Sequence, residues 1–84
     1  MAKASILIVE DEAIVAADLA DKLERAGYAI SGTVSQGEHA VRMVKQNRPD
    51  LILMDIRLAG PLDGIGVAES LKSSTDVPVV FLTA

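Results

Sequence analysis

The sequence predicts an α/β fold in which helices cover both faces of a parallel sheet. Short apolar runs, rich in branched side chains, alternate along the chain with stretches of helical periodicity. The run at residues 51–54 lies between turn-forming residues and ends directly in Asp55, as expected of a fully buried strand in a parallel sheet. The connections are short, which favours right-handed crossovers between parallel strands.

The first strand is predicted at Ser5–Val9, and three acidic residues follow it. Residues 12–26 form the first predicted helix, with Asp11 as its expected cap and Gly27 as its stop. Its apolar residues recur at helical spacing and predict the face that packs on the sheet. They are Val15, Ala16, Leu19, Leu23 and Ala26.

The second strand is predicted at residues 28–34. A capping-box pattern at residues 35–38 then opens a second helix, which ends before Pro49. After the central strand, residues 56–64 form a loop rich in glycine and proline, and residues 65–73 form a third helix. The last strand, Val79–Leu82, is predicted to be of the buried type and leads to Thr83.

Composition limits the classes of function. A chain of 84 residues forms one domain at most, and without cysteine it has no disulfide or thiolate metal site. The net charge of −4 argues against binding nucleic acid through its phosphates. No apolar run approaches the roughly 20 residues of a membrane span, and no signal for export is present. We therefore expect a cytoplasmic protein.

Polar side chains follow three of the predicted strands. Glu10 and Asp11 follow the first, Asp55 the central one and Thr83 the last. The carboxyl ends of parallel strands meet at one edge, where ligands bind in such sheets. Clustered carboxylates repel one another and are usually tolerated around a cation, and oxygen-only ligands favour Mg²⁺. Taken singly, each acid is more often a helix cap or a solvated loop residue.

Four motifs, taken in order, make the chain similar to a known family. They are residues 6–12 (ILIVEDE), 48–55 (RPDLILMD), 63–64 (DG) and 77–84 (VPVVFLTA). This ordered set resembles the receiver domain of two-component response regulators. The resemblance implies a doubly wound, flavodoxin-like sheet with strand order 2-1-3-4.

The resemblance also implies roles for individual residues. Asp55 matches the residue that accepts a phosphoryl group from a phosphohistidine of a sensor histidine kinase. Thr83 matches the switch hydroxyl, and Ala84 the backbone N–H that holds a phosphoryl oxygen. The implied Mg²⁺ ligands are Glu10, Asp11, Asp55 and the backbone carbonyl of Arg57.

The expected function is a phosphorylation switch, a signalling domain and not an enzyme, that acts on an output domain or a downstream protein. We expect residues 1–84 to be a receiver domain that is incomplete at its C-terminus, because the family continues with a fifth strand and further helices. The exposed last strand is then expected to favour self-association. Three alternatives stay open: a receiver-like interaction module that is not phosphorylated, an aspartyl-phosphate hydrolase and a flavin-binding module.

Overall fold

Within the part of the chain that the structure describes, four parallel strands and three helices alternate, as predicted. The computed structural model describes residues 3–55, 64–73 and 75–82. The elements are β1 (Ser5–Val9), α1 (Ala13–Arg25), β2 (Ala29–Val34), α2 (Gly37–Gln46), β3 (Leu51–Asp55), α3 (Gly64–Lys72) and β4 (Val79–Leu82). None of the described helices has the length and apolar character needed to cross a membrane.

The sheet has the order β2-β1-β3-β4, which confirms the predicted topology. Its register fixes which residues meet at the carboxyl ends of the strands. Val9 of β1 lies opposite both Val34 of β2 and Met54 of β3. The next residue on β1 is Glu10 and the next on β3 is Asp55, so these two acids come to the same level of the sheet. This level is where the candidate functional site lies.

The core is divided between the two faces of the sheet, because side chains alternate along each strand. The larger cluster combines alternate strand residues with α2 and α3. Its buried members are Leu7, Val9, Ala40, Val44, Ile52, Met54, Val67, Leu71 and Val77. On the opposite face, Ile6 and Ile8 pack with Ala16 of α1. Two helices thus cover one face and one helix covers part of the other.

This unequal cover corrects the prediction that the central and last strands are fully buried. Ile52 and Met54 are buried, whereas Leu51 and Leu53 on the α1 face are only half-buried. In β4, Val80 is 47% exposed and Phe81 is 39% exposed. Val80 shares its face with α1, but α1 packs over β1 and β2 at the other side of the sheet.

The predicted side-chain caps are absent at the starts of α1 and α2. The N-cap of α1 is Glu12 and that of α2 is Gln36, and neither side chain makes a capping hydrogen bond. The expected cap at Asp11 and the expected capping box at residues 35–38 are therefore wrong. In both helices the N-cap is the residue after the predicted one. Glu12 follows Asp11, and Gln36 follows Ser35, so the favoured side chain lies outside the cap position.

The end of α1 is as predicted, and its geometry explains why glycine is required. Gly27 has a φ of +101°, a conformation that glycine adopts without the cost of a Cβ clash. The N–H of Tyr28 donates to the carbonyl of Leu23 at 3.0 Å, and the N–H of Gly27 donates to Glu24 at 3.1 Å. This pair of bonds is a Schellman motif, and it satisfies carbonyls at the end of the helix.

Polar pairs fix the amino ends of the strands. The N–H and the hydroxyl of Ser5 donate to Oδ2 of Asp50, at 2.7 and 3.3 Å. In return, the N–H of Asp50 lies 2.8 Å from the carbonyl of Ser5 and 3.2 Å from its Oγ. Arg48 forms an ion pair with Asp76, which joins the segment before β3 to the segment before β4.

Candidate metal centre at the carboxyl ends of the strands

Three carboxylates converge at the carboxyl ends of β1 and β3. Glu10 and Asp11 directly follow β1, and Asp55 is the last residue of β3. One carboxylate oxygen from each residue lies within 4.8 Å of the other two. The sequence predicted this convergence from strand ends alone, and the register between β1 and β3 produces it.

The three acids differ in their exposure to solvent. Glu10 is buried, with 6% of its surface exposed, whereas Asp55 is half-buried and Asp11 is exposed. Backbone bonds hold Glu10 in place. Its N–H donates to the carbonyl of Val34 at 2.9 Å, and its Oε1 accepts the N–H of Glu12 at 3.2 Å. The cluster therefore has a fixed buried side and an open side at Asp11.

The electrostatics of the cluster are unfavourable without a cation. Burial raises the pKa of Glu10, because desolvation penalises its charged form. The bond from the Glu12 N–H opposes this effect, while the nearby carboxyls of Asp55 and Asp11 raise the pKa further. Among the described residues, neither Glu10 nor Asp11 forms an ion pair with a basic side chain.

These properties fit a hard divalent cation. The donors are oxygen atoms only, and they belong to carboxylates that a cation would relieve of mutual repulsion. Mg²⁺ is commonly held by one or two carboxylates together with water and phosphate oxygens, which requires an open side. Glu10, Asp11 and Asp55 would supply the carboxylate oxygens here.

Three of the predicted site residues lie outside the described residues. They are Arg57, Thr83 and Ala84. The loop at residues 56–63, which includes Asp63 of the predicted Asp63-Gly64 turn, also lies outside the described residues. Leu82, which precedes Thr83 in the sequence, lies opposite Asp55 in the register of β3 and β4.

Sequence reasoning missed a cavity beside the acids. It has a volume of about 340 Å³ and lies between α1 and the end of β2. Glu10 and Asp11 form one wall, the hydroxyl residues Thr33 and Ser35 form another, and four alanines of α1 complete it. The sequence could have indicated this cavity, because the carboxyl ends of β2 and β1 lie at the same edge of the sheet.

Two core assignments on α1 were also wrong. Ala26 was predicted to pack on the sheet, but it is exposed and lies at the C-cap of the helix. Val15 was predicted to pack on the sheet, but it is 38% exposed, and its neighbour Ile14 is 86% exposed. Ala16 is the buried residue of this first turn. Ile14 and Val15, which follow Asp11 by three and four residues, therefore expose apolar surface to solvent.

Comparison with known proteins gives the family. The family model for the response regulator receiver domain matches residues 6–84. The chain belongs to this receiver family. Receiver domains act in two-component signalling, where they interact with histidine kinases and with output partners. The predicted family and the predicted flavodoxin-like fold are thereby confirmed.

Several relatives of this receiver domain are regulators. The transcriptional regulatory protein PdtaR of Mycobacterium tuberculosis is 40% identical over 79 residues, which cover 94% of this chain and 38% of PdtaR. The phyllosphere-induced regulator PhyR of Methylorubrum extorquens is 39% identical over 80 residues, covering 94% of this chain and 30% of PhyR. The chain thus spans about a third of the length of these relatives.

Solved structures show the same arrangement of the receiver fold. The signal receiver domain of a modulated diguanylate cyclase from Desulfovibrio desulfuricans superposes with a TM-score of 0.91 at 42% identity. The match covers 96% of this chain and 65% of that one. PhyR of Bartonella quintana, in complex with the anti-sigma factor NepR, gives a TM-score of 0.87 at 34% identity, covering all of this chain and 34% of PhyR.

Proposed function

We propose that this receiver domain, residues 1–84, accepts a phosphoryl group on Asp55 from a phosphohistidine of a sensor histidine kinase. The observation that carries the proposal is the convergence of Glu10, Asp11 and Asp55 within 4.8 Å of one another. We assign the Mg²⁺ site to these three carboxylates and to the backbone carbonyl of Arg57. The signalling event takes place in the cytoplasm.

The position of Asp55 suits a nucleophile. It is half-buried at a strand end, where the sheet fixes its backbone and one side stays open to a donor. A carboxylate oxygen of Asp55 attacks the phosphorus, and a P–O bond forms as the P–N bond to the imidazole breaks. The electron pair of the broken bond stays on the imidazole nitrogen, and the product on Asp55 is an acyl phosphate.

Charge is the main obstacle to this transfer. The incoming phosphoryl oxygens add negative charge to a group of carboxylates in which the pKa of Glu10 is already raised by burial and by its neighbours. Mg²⁺ held by these carboxylates would supply the compensating positive charge. Glu10 and Asp11 orient the metal side of the site, and Asp55 presents the reacting oxygen.

We assign the response to phosphorylation to the end of β4. Thr83 supplies a hydroxyl and Ala84 a backbone N–H to the phosphoryl oxygens, in the roles that the family resemblance implies. β4 is suited to such a role, because among the described residues it pairs with β3 alone and its central residues are exposed. A shift at this strand end would change the surface that an output domain or downstream protein contacts.

The proposal is tested by intact-mass spectrometry after incubation with Mg²⁺ and acetyl phosphate. The wild-type chain should gain the mass of one phosphoryl group, and Asp55→Asn should not. Asp50→Asn is the matched control, because it makes the same substitution at the other end of β3. It should keep the adduct, and an adduct of equal yield in Asp55→Asn would contradict the assignment of the site.

A receiver-like module that binds partners without phosphorylation is the second candidate. The observation in its favour is the similarity to PhyR, which has been crystallised with NepR. Absence of the adduct in the wild-type chain, with Mg²⁺ binding retained, would favour this candidate.

A further inference from the structure

A groove lies between β2 and α2. The cavity beside the acidic cluster is separate from it and lies between β2 and α1. The groove has a volume of about 230 Å³ and is lined by Val34, His39, Arg42, Met43 and Gln46. The four residues from α2 are spaced by three or four positions, so they share one face of the helix. Val34 and Met43 provide apolar walls, and the other three provide hydrogen-bonding groups.

The charge of this groove differs from that of the protein as a whole. The chain carries a net charge of −4. Lys22, Arg25 and Arg48 are each paired with an aspartate. Within the described part of the chain, by contrast, neither His39 nor Arg42 has an acidic partner. The groove therefore presents uncompensated hydrogen-bond donors beside apolar walls, in an otherwise acidic protein.

The groove continues onto an open edge of the sheet. In the described residues β2 pairs with β1 only, and it contains no charged residue and no proline, the usual protections of an edge strand. A shift in register at Ser31 separates the start of β2 from Gly32–Val34. Met43 packs closely on that second part, since a Cβ at Gly32 would lie 2.8 Å from its Cε.

We propose that this groove and the adjoining edge of β2 bind an extended, acidic segment of a partner protein. On the open edge of β2, the N–H and the carbonyl of Thr33 offer hydrogen bonds to an added strand, since Val34 directs its carbonyl to the N–H of Glu10 on the other side. Met43 and Val34 cover the methylenes of an acidic side chain. The guanidinium of Arg42 binds its carboxylate in the paired geometry that arginine favours, with His39 and Gln46 as further donors. A nucleic acid is the weaker occupant, because binding its phosphates needs clustered basic residues and the groove holds one arginine beside one histidine.

The test is a titration of ¹⁵N-labelled protein, followed by NMR, with a blocked peptide of alternating valine and glutamate. We expect shifts that saturate at the amides of Gly32, Thr33, Val34 and Met43. The same peptide with glutamine in place of glutamate should bind several-fold more weakly.

A pair of variants identifies the groove as the site. Arg42→Gln should weaken binding about threefold, the effect expected for loss of one exposed charge contact. Lys45→Gln removes the same charge from the same helix outside the groove, and it should leave the affinity unchanged.

Several results would overturn the proposal. Equal weakening by Arg42→Gln and Lys45→Gln would mean that the charge of the protein, and not the groove, attracts the peptide. Equal shifts with inorganic phosphate alone would mean a simple anion site, and tighter binding of a DNA oligonucleotide would mean a nucleic-acid surface. Absence of shifts at Gly32–Val34 would exclude strand addition.

Discussion

The two ends of the sheet carry the same kinds of side chain but use them in opposite ways. At the amino end, Asp50 accepts hydrogen bonds from Ser5, and Asp76 pairs with Arg48. At the carboxyl end, Glu10, Asp11 and Asp55 lie close to one another. Asp50 and Asp76 at the first end lie beside donors, whereas at the second end burial and two neighbouring acids raise the pKa of Glu10.

This difference separates structural acids from functional ones. At the amino end, Asp50 uses its hydrogen bonds to join the start of β1 to the start of β3. An acid beside other acids is costly in the free protein, and that cost is recovered when a cation binds. The direction of the strand distinguishes these cases, because Asp50 precedes β3 and Asp55 is its last residue.

The largest effect on stability is expected at the amino end. Asp50→Ala removes the acceptor of the Ser5 N–H and hydroxyl, and it should lower the free energy of unfolding by about 1.5 kcal/mol. Urea denaturation measures this change. Asp55→Ala, at the other end of β3, serves as the comparison. A larger loss from Asp55→Ala in metal-free buffer would contradict the distinction between the two ends.

Mg²⁺ should stabilise the protein through the carboxyl end alone. At a concentration ten times its dissociation constant, it adds about 1.4 kcal/mol to the free energy of unfolding. Thermal unfolding with and without Mg²⁺ measures the effect. Asp11→Asn should remove most of it, whereas Asp50→Asn should keep it. An equal Mg²⁺ effect in both variants would place the ion elsewhere.

The acidic cluster should also make stability depend on pH. The pKa of Glu10 is raised in the folded state from its ordinary value of 4.5, chiefly by burial. In the range just above that value, the folded state binds more protons than the unfolded state. The contribution of Glu10 therefore makes metal-free stability fall as pH rises through this range.

The variant that tests this pH dependence is Glu10→Gln, which keeps a side-chain oxygen to accept the hydrogen bond from the N–H of Glu12. It should stabilise the metal-free protein at pH 7 by on the order of 1 kcal/mol and remove this part of the pH dependence. Urea titrations at pH 4.5 and pH 7 measure both. Glu12→Gln, at an exposed neighbouring position, is the control. Destabilisation by Glu10→Gln at pH 7 would show that Glu10 is not under charge strain.

The smallest effect is expected at the ion pair of Arg48 with Asp76. Both side chains are mostly exposed, at 60% and 84%, so solvent screens their attraction. Arg48→Gln should change the free energy of unfolding by no more than about 0.5 kcal/mol. A loss as large as that of Asp50→Ala would show that this pair, too, is needed to hold the strands.

Local features of the chain were enough to predict much of this molecule. The apolar runs gave all four strands, and Gly27 gave the end of α1, because each depends on neighbouring residues. The acids at strand ends predicted the three carboxylates that the structure brings together, since parallel strands bring their carboxyl ends together. The roles assigned to these acids, and those assigned to Arg57, Thr83 and Ala84, stay predictions.

Features that depend on contacts between residues far apart in the sequence could not be predicted from these local patterns. Val15 and Ala16 fit the same apolar face, yet only packing against Ile6 and Ile8 decided that Ala16 is buried. The exposure of Val80 follows from where α1 sits across the sheet, and the groove at Arg42 follows from how α2 packs against β2. The sequence alone determined which segments are strands and helices and which acids end them. The tertiary structure decided which faces are covered and which charges find a partner, because burial and pairing depend on contacts between residues far apart in the chain.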